Sequence, residues 1–395
     1  MNTHKKPRTL LALALALLAL SALQPFSLSA LSADTLAFER AAHLRNGVNL
    51  SHWFAQEKAG SYSVQRLRNA VTTDDLRLIK TLGLDHVRLP VDAPQLYKWQ
   101  AKDAAGLAYM TELDRAVKEI TQLNLAVIID IHSGNEFNNK LQQAGLNGDA
   151  TKKFLALWGD LAAHYAQTDP KLVFFEILNE PHMTNQDFNW NLHKLAAGKI
   201  RAAAPAHTII ACCGSRKADI SGLLDIKQLL PFPNIIYTFH NYKPDAFSHQ
   251  GAGWVDWAPY KEFRYVPYPS TPENVTKALA QVTSDKAKKI IKQYGDERWD
   301  GARIDGEVFT PARKWCERNG VPAYVGEYGV LGGKVDPAMR AQCIHDMRAA
   351  INKNNLYGAL WDYQTNFGLV TKTKGAKAVP DPAIVKALGL TLPAE

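Results

Sequence analysis

Eight short stretches of near-continuous apolarity recur along this chain, and their alternation with amphipathic segments constrains the fold more than any other feature. They are NGVNLSHW (46–53), HVRLPVD (86–92), AVIIDIHS (126–133), LVFFEILNEP (172–181), TIIACCGS (208–215), IIYTFHNYKP (235–244), PAYVGEYGV (322–330) and YGALWDYQ (357–364). A strand covered on one face alternates apolar with polar residues. One covered on both faces is apolar throughout, as in a parallel sheet. The intervening segments read as helices. In TELDRAVKEITQLN, Leu113, Ala116, Val117, Ile120 and Leu123 share one helical face. Asp74 and Asp75 mark one helix start and Asp219 a shorter one. Pro337 opens another at a first-turn position, where no N–H is needed. This alternation predicts an α/β fold, a single-domain (β/α)8 TIM barrel. The rival is an open doubly wound sheet. It would bring a Gly-rich phosphate loop after the first strand, and GVNLSHWF has none.

One connection is far longer than the rest. Residues 244–311, 68 in all, form a long insertion after the sixth strand. It carries Trp254, Trp257, Tyr260, Phe263, Tyr265 and Tyr268, followed by a helical PENVTKALAQVTSDKAKKIIKQYG. On a barrel this insertion lies at the C-terminal face. Its aromatics suit either a sugar-stacking wall or a small satellite core under a long loop.

The ends and the charge set the context. Lys5, Lys6 and Arg8 precede an apolar run from Leu10 to Leu20, and SLSALSAD follows. That layout predicts a signal peptide over 1–33, cleaved near Ala30 or Ala33, with 34–395 as the catalytic domain. The run is short against the roughly 20 residues of a spanning helix, so no membrane span is expected after signal cleavage. A secreted or periplasmic location and a monomer are expected. The formal charge of +8 includes those three basic residues, leaving a mild excess and no dense basic stripe, so nucleic acid is not an expected partner. Cys212, Cys213, Cys316 and Cys343 lack metal spacing. In an exported protein Cys316 and Cys343 could pair; the alternative is that all four are small buried residues.

The polar residues of the apolar stretches collect at their C-terminal ends, where barrels place catalytic groups. Arg88 is expected near the end of strand two and His132 at the end of strand three. Asn179 and Glu180 end strand four, His240 and Tyr242 strand six, Glu327 strand seven and Trp361 strand eight. His240 and Tyr242 lie two apart, on one face of their strand. A buried acid is costly unless paired or used, which singles out Glu180 and Glu327. Two carboxylates flanking a bond are the machinery of glycoside hydrolysis. Glu176 is not the partner of Glu180. Four residues back on the same strand puts it roughly 13 Å away at about 3.3 Å per residue, so Glu176 is expected to face the barrel interior and pair with a base.

FEILNEP resembles the acid/base signature of glycoside hydrolase family 5, the cellulase family A, within the clan of retaining barrel glycosidases. GVNLSHWF is similar to the family's first strand. HVRLPV, DIHS, HNY, GEYG and LWDY match its further motifs in order through Arg88, His132, His240 with Tyr242, Glu327 and Trp361. The resemblance implies that Glu180 is the acid/base and Glu327 the nucleophile. It implies that Asn179 bonds the sugar 2-hydroxyl, that Arg88 and Tyr242 hold Glu327 ionised, and that Trp361 stacks on a sugar ring. His132 and His240 would bind hydroxyls or tune Glu180, whose pKa should lie above that of Glu327. No cofactor and no metal is implied; the partner is a polysaccharide or oligosaccharide. His132 departs from the common pattern of two adjacent histidines, being followed by Ser133, Gly134, Asn135 and Glu136.

The expected activity is therefore retaining cleavage of internal β-1,4-glucosidic bonds by an exported enzyme. The alternatives are mannan, β-1,3-glucan, xyloglucan or a bacterial exopolysaccharide as substrate, and a non-catalytic glycan-binding barrel. A metal-dependent hydrolase using His132 and His240 would want a denser ligand set than this sequence offers.

Overall fold

The computed structural model describes residues 34–57, 61–212, 218–373 and 375–393, together with residue 1. The expected signal segment and Cys213 lie outside the described residues.

Eight parallel strands close into one barrel in chain order, which excludes the open sheet. They are β1 Gly47–Asn49, β2 His86–Val91, β3 Ala126–Ile131, β4 Val173–Glu176, β5 Thr208–Cys212, β6 Ile235–Asn241, β7 Ala323–Tyr328 and β8 Tyr357–Leu360. Helices follow the strands, among them Ala104–Gln122, where Leu113, Ala116, Val117 and Ile120 are buried against the barrel. The helix Thr73–Thr81 is held at its start by a reciprocal cap between Thr72 and Asp75. Pro337 stands in the first turn of Pro337–Lys353, behind the N-cap Asp336.

Among the described residues, every apolar stretch but the fifth outruns its strand at the C-terminal end. Apolarity reports burial, and burial continues after the ladder of hydrogen bonds stops. Arg88 differs in the other sense: it is the third residue of β2, well below the rim.

The barrel interior changes character with height. At the N-terminal end Ala126, Ile128, Phe174, Ile210, Ile236, Tyr324 and Ala359 form an apolar layer. Ala41, the last residue of the helix Thr35–Ala41, and Leu44 just after it join this layer; the helix N-cap Asp34 accepts from the Ala37 N–H. Above that layer the same inward positions turn polar: Asn49, Arg88, Asp130, Glu176 and Thr238, all at 0% exposure. Side chains two apart along a strand share a face, so Ile128 hands over to Asp130 and Phe174 to Glu176 without a change of register.

β7 breaks that parity. Phe239 pairs with Val325, but the next residue, His240, pairs with Glu327, so two residues of β7 answer one of β6. The bulge turns Glu327 inward. It also explains Gly326: a Cβ there would stand 2.8 Å from Thr238 Oγ1 and 2.9 Å from His240 Nε2.

The insertion buries some of its aromatics in a satellite core and leaves others at the surface. Phe247, Tyr260, Phe263, Tyr268 and Tyr294 are buried, whereas Trp254, Trp257 and Tyr265 are exposed. A small hairpin after β8, β9 Val370–Thr371 with β10 Val379–Pro380, is absent from the sequence reading because two-residue strands carry no periodicity. Cys316 and Cys343 do not pair. Each is a separate buried thiol on its own helix, and burial pushes Cys316 up to about 12. Among the described residues no helix is long and apolar enough to cross a membrane.

Candidate active site

Arg88 organises the mouth from below. Its guanidinium has N–H donors on every side and accepts nothing. Nε and Nη2 grip Glu176 at 2.7 and 2.9 Å. Nη2 also reaches Asp130 Oδ2 at 2.9 Å and Asn179 Oδ1 at 2.8 Å. Nη1 donates to Glu327 Oε1 at 2.9 Å and Asn49 Oδ1 at 3.0 Å. Glu176 thus faces the interior and pairs with a base, as expected from its position. Three carboxylates around one buried cation leave a local excess of negative charge. Burial raises Asp130 to about 6 and raises Glu176 as well, against the pull of Arg88.

Beyond β4 the chain stays bonded to both neighbours for three residues. The Ile177 N–H donates to Ile210 O and the Asn179 N–H to Ile131 O. Glu180 then takes a positive φ of 29°, and His182 one of 42°. A non-glycine residue in the left-handed region carries strain that the surroundings must hold. Pro181 contributes no N–H, and Asn138 Nδ2 binds the Glu180 carbonyl at 3.1 Å. The turn lifts the Glu180 carboxylate into the cleft.

There Glu180 meets residues of β6 and β7. His240 Nδ1 lies 2.8 Å from Glu180 Oε1 and 3.5 Å from Glu327 Oε2. One carboxylate oxygen of each glutamate and one nitrogen of His240 all lie within 4.8 Å of one another. Tyr242 donates its hydroxyl to Glu327 Oε2 at 2.7 Å. Glu327 therefore holds Arg88 on one oxygen and Tyr242 on the other. Burial acts to raise Glu180, but the hydrogen bond and charge of His240 outweigh it and bring the carboxyl down to about 2. Burial acts to lower His240, and the charge of Glu327 with the Glu180 bond raises it instead. Glu180 was expected to carry its own proton. The two directions, Glu180 down and His240 up, run against that expectation and favour the ion pair.

His132 follows β3, and its Nδ1 lies 2.8 Å from Asp130 Oδ2. Its Nε2 is 3.3 Å from Asn179 Nδ2. Its ring stacks on Trp361 at 5.5 Å between centroids and 17° between planes. The cleft above holds about 790 Å³. His132, Asn179, Glu180, Tyr242, Glu327 and Trp361 line it, with Trp254 of the insertion and Phe367 after β8 as an outer wall. All eight residues predicted for the site thus gather at one end of the barrel. The sequence reading missed Asn49 and Asp130. Their only signal was parity: each stands on an inward position two residues from another inward residue. Asn49 Nδ2 also donates to the Gly326 carbonyl at 2.9 Å, pinning the bulge beside Glu327.

The comparisons with known proteins agree with this architecture. Residues 50–367 match the model of the family Cellulase (glycosyl hydrolase family 5). Endoglucanase 3 of Fibrobacter succinogenes is 27% identical over 84% of this chain, which spans 51%, about half, of that relative's length. Cellodextrinase A of Ruminococcus flavefaciens is 29% identical over 72% of this chain and 75% of its own. Among solved structures, Thermotoga maritima Cel5A in complex with mannotriose superposes with a TM-score of 0.66 at 24% identity, covering 89% of this chain and 99% of that one. That likeness shows the shared barrel. With a family match across most of its length and a closed eight-stranded barrel, this chain belongs to glycosyl hydrolase family 5.

Proposed function

We propose that this protein is an exported retaining glycosidase that cleaves internal β-1,4-glucosidic bonds by double displacement. The observation that carries the reading is the spacing of two carboxylates in the cleft. Oxygens of Glu180 and Glu327 lie within 4.8 Å. Retaining pairs stand about 5–5.5 Å apart and inverting pairs about 6.5–9.5 Å, the wider gap holding a water.

Glu327 is the nucleophile. Arg88 and Tyr242 bind one oxygen each and aim the carboxylate at the anomeric carbon. Glu180 passes a proton to the leaving oxygen, and His240 is its source through the 2.8 Å bond. The base form of Glu180 then activates the water that hydrolyses the glycosyl-enzyme. Asn179 faces the 2-hydroxyl, and Trp361 offers a ring face to the sugar. The relatives named as an endoglucanase and a cellodextrinase support a β-glucan as substrate. Export rests on the basic, apolar, small-residue layout of 1–33.

The test is a reducing-end assay on carboxymethylcellulose, barley β-glucan, xyloglucan, glucomannan, mannan and laminarin, each with a Glu327→Ala control. Cleavage of a β-1,4-glucan, absent in the control, is the expected outcome, and on an aryl cellobioside azide should partly restore aryl release from the control as a glycosyl azide forms. Cleavage of laminarin alone would move the linkage to β-1,3. Equal rates in wild type and control would remove Glu327 from the mechanism. Product NMR should show the β-anomer first, and an initial α-anomer would mean inversion.

A further inference from the structure

We propose that Asp130 is a positioning residue: through one oxygen it fixes the tautomer of His132, and through His132 the direction in which Asn179 presents its amide to the substrate. The role assigned to Asn179 rests on the functional reading above; the hydrogen-bond relay itself does not.

In this relay the Arg88 guanidinium can only donate. Arg88 Nη2 lies 2.8 Å from a terminal atom of Asn179, so that atom must be the oxygen. The amide nitrogen then points the other way, to His132 Nε2 at 3.3 Å. It can donate only if Nε2 carries no proton. A neutral ring must then carry its hydrogen on Nδ1, and that hydrogen needs an acceptor. Asp130 Oδ2 supplies it at 2.8 Å, and the same atom lies 2.9 Å from Arg88 Nη2 in an ion pair. The other tautomer would set two N–H groups against each other at His132 and Asn179. Turning the amide over would only move that conflict to Arg88. Burial also holds His132 neutral, lowering it to about 4. Asp130 is itself wholly buried, and among the described residues its Oδ1 has no hydrogen-bond partner. The carboxylate thus serves two clients through a single oxygen. Asn179 spends one N–H and one lone pair on the frame, and the second N–H is left for a sugar hydroxyl.

A simple counter-ion to Arg88 would behave differently. Asp130→Asn removes the charge and keeps an oxygen able to accept from both clients. Asp130→Leu removes the acceptor and keeps the branching at Cγ. Nitrogen-15 spectra of histidine-labelled protein, with His132 assigned from His132→Gln, read the tautomer directly. Nδ1–H is expected in the wild type and in Asp130→Asn, and Nε2–H in the wild type would overturn the proposal without any variant being needed. In kinetics Asp130→Asn should keep most of its turnover. Asp130→Leu should lose kcat by about 10²-fold, the scale of one lost transition-state donor. That loss should vanish on a 2-deoxy aryl glycoside, which has no 2-hydroxyl for Asn179 to meet. Equal losses on both substrates, or an Asp130→Asn as damaged as Asp130→Leu, would make Asp130 a structural counter-ion only. A wild type inactive on every glycan would sink the functional reading and leave the tautomer measurement standing.

Discussion

At the scale of single residues, the mouth of the barrel is governed by one cation among acids. Arg88 is fully buried with Asp130, Glu176 and Glu327 in direct contact. Its removal takes the cation from three buried carboxylates, and loss of one partner of a buried pair costs about 3–5 kcal/mol. Arg88→Met is therefore expected to lower stability by that order in urea unfolding, beyond its loss of activity; Glu176→Gln, which keeps a hydrogen-bonding group and removes surplus negative charge, should cost less. A pH profile tests the His240–Glu180 pair. His240 is raised above the ordinary imidazole value of 6.5, and in the proposed mechanism its protonated form supplies the proton. Activity should be present below the pair's apparent value and lost as pH rises through it. The alkaline limb of kcat/KM, which reports the free enzyme, should have its midpoint above 6.5 and should change shape in His240→Asn. A limb unchanged in that variant would separate His240 from the proton path. The same three groups could geometrically hold a cation. Because Arg88 and Tyr242 already occupy both oxygens of Glu327, dialysis against a chelator is expected to leave the rate unchanged, and recovery by added zinc after a loss would favour a metal mechanism.

At the scale of elements, two irregularities make the site. The bulge in β7 turns Glu327 inward, and the turn after β4 carries Glu180 over the rim. Gly326 allows the first, since any side chain there would press on His240 and Thr238. Gly326→Ala is expected to lower kcat by displacing His240, at a stability cost of about 1–3 kcal/mol typical of overpacking; kcat indistinguishable from wild type would show that β6 and β7 yield freely. The sequence reading put these residues on the right strands because apolar runs mark barrel strands well. It could not see the bulge, because a run of Tyr, Val, Gly, Glu and Tyr reads the same with or without an extra residue in the pairing. For the same reason it placed Arg88 near the end of its strand, when the long side chain makes up the height from the third position.

At the scale of the whole molecule, the barrel is closed below by an apolar plug and opened above by a polar mouth, and the insertion adds an outer wall. Trp254 on that wall is 59% exposed beside the cleft. Trp254→Ala should raise KM on a polymer while leaving a short aryl cellobioside nearly unchanged. Equal effects on both would mean that the residue supports the fold of the insertion. The order of strands and helices, and the gathering of the eight site residues at one end of the barrel, followed from the sequence by itself. Hydrophobic periodicity is local, and a parallel sheet that alternates with helices has few ways to close. Which oxygen meets which nitrogen was decided only in three dimensions. Asn49, Asp130 and Glu176 act from β1, β3 and β4 on a guanidinium from β2, and such contacts depend on barrel register, strand by strand. The state of the cysteines was decided there too: two helices that could have offered a bridge instead bury Cys316 and Cys343 apart, because the packing of each helix on the barrel sets where its thiol points.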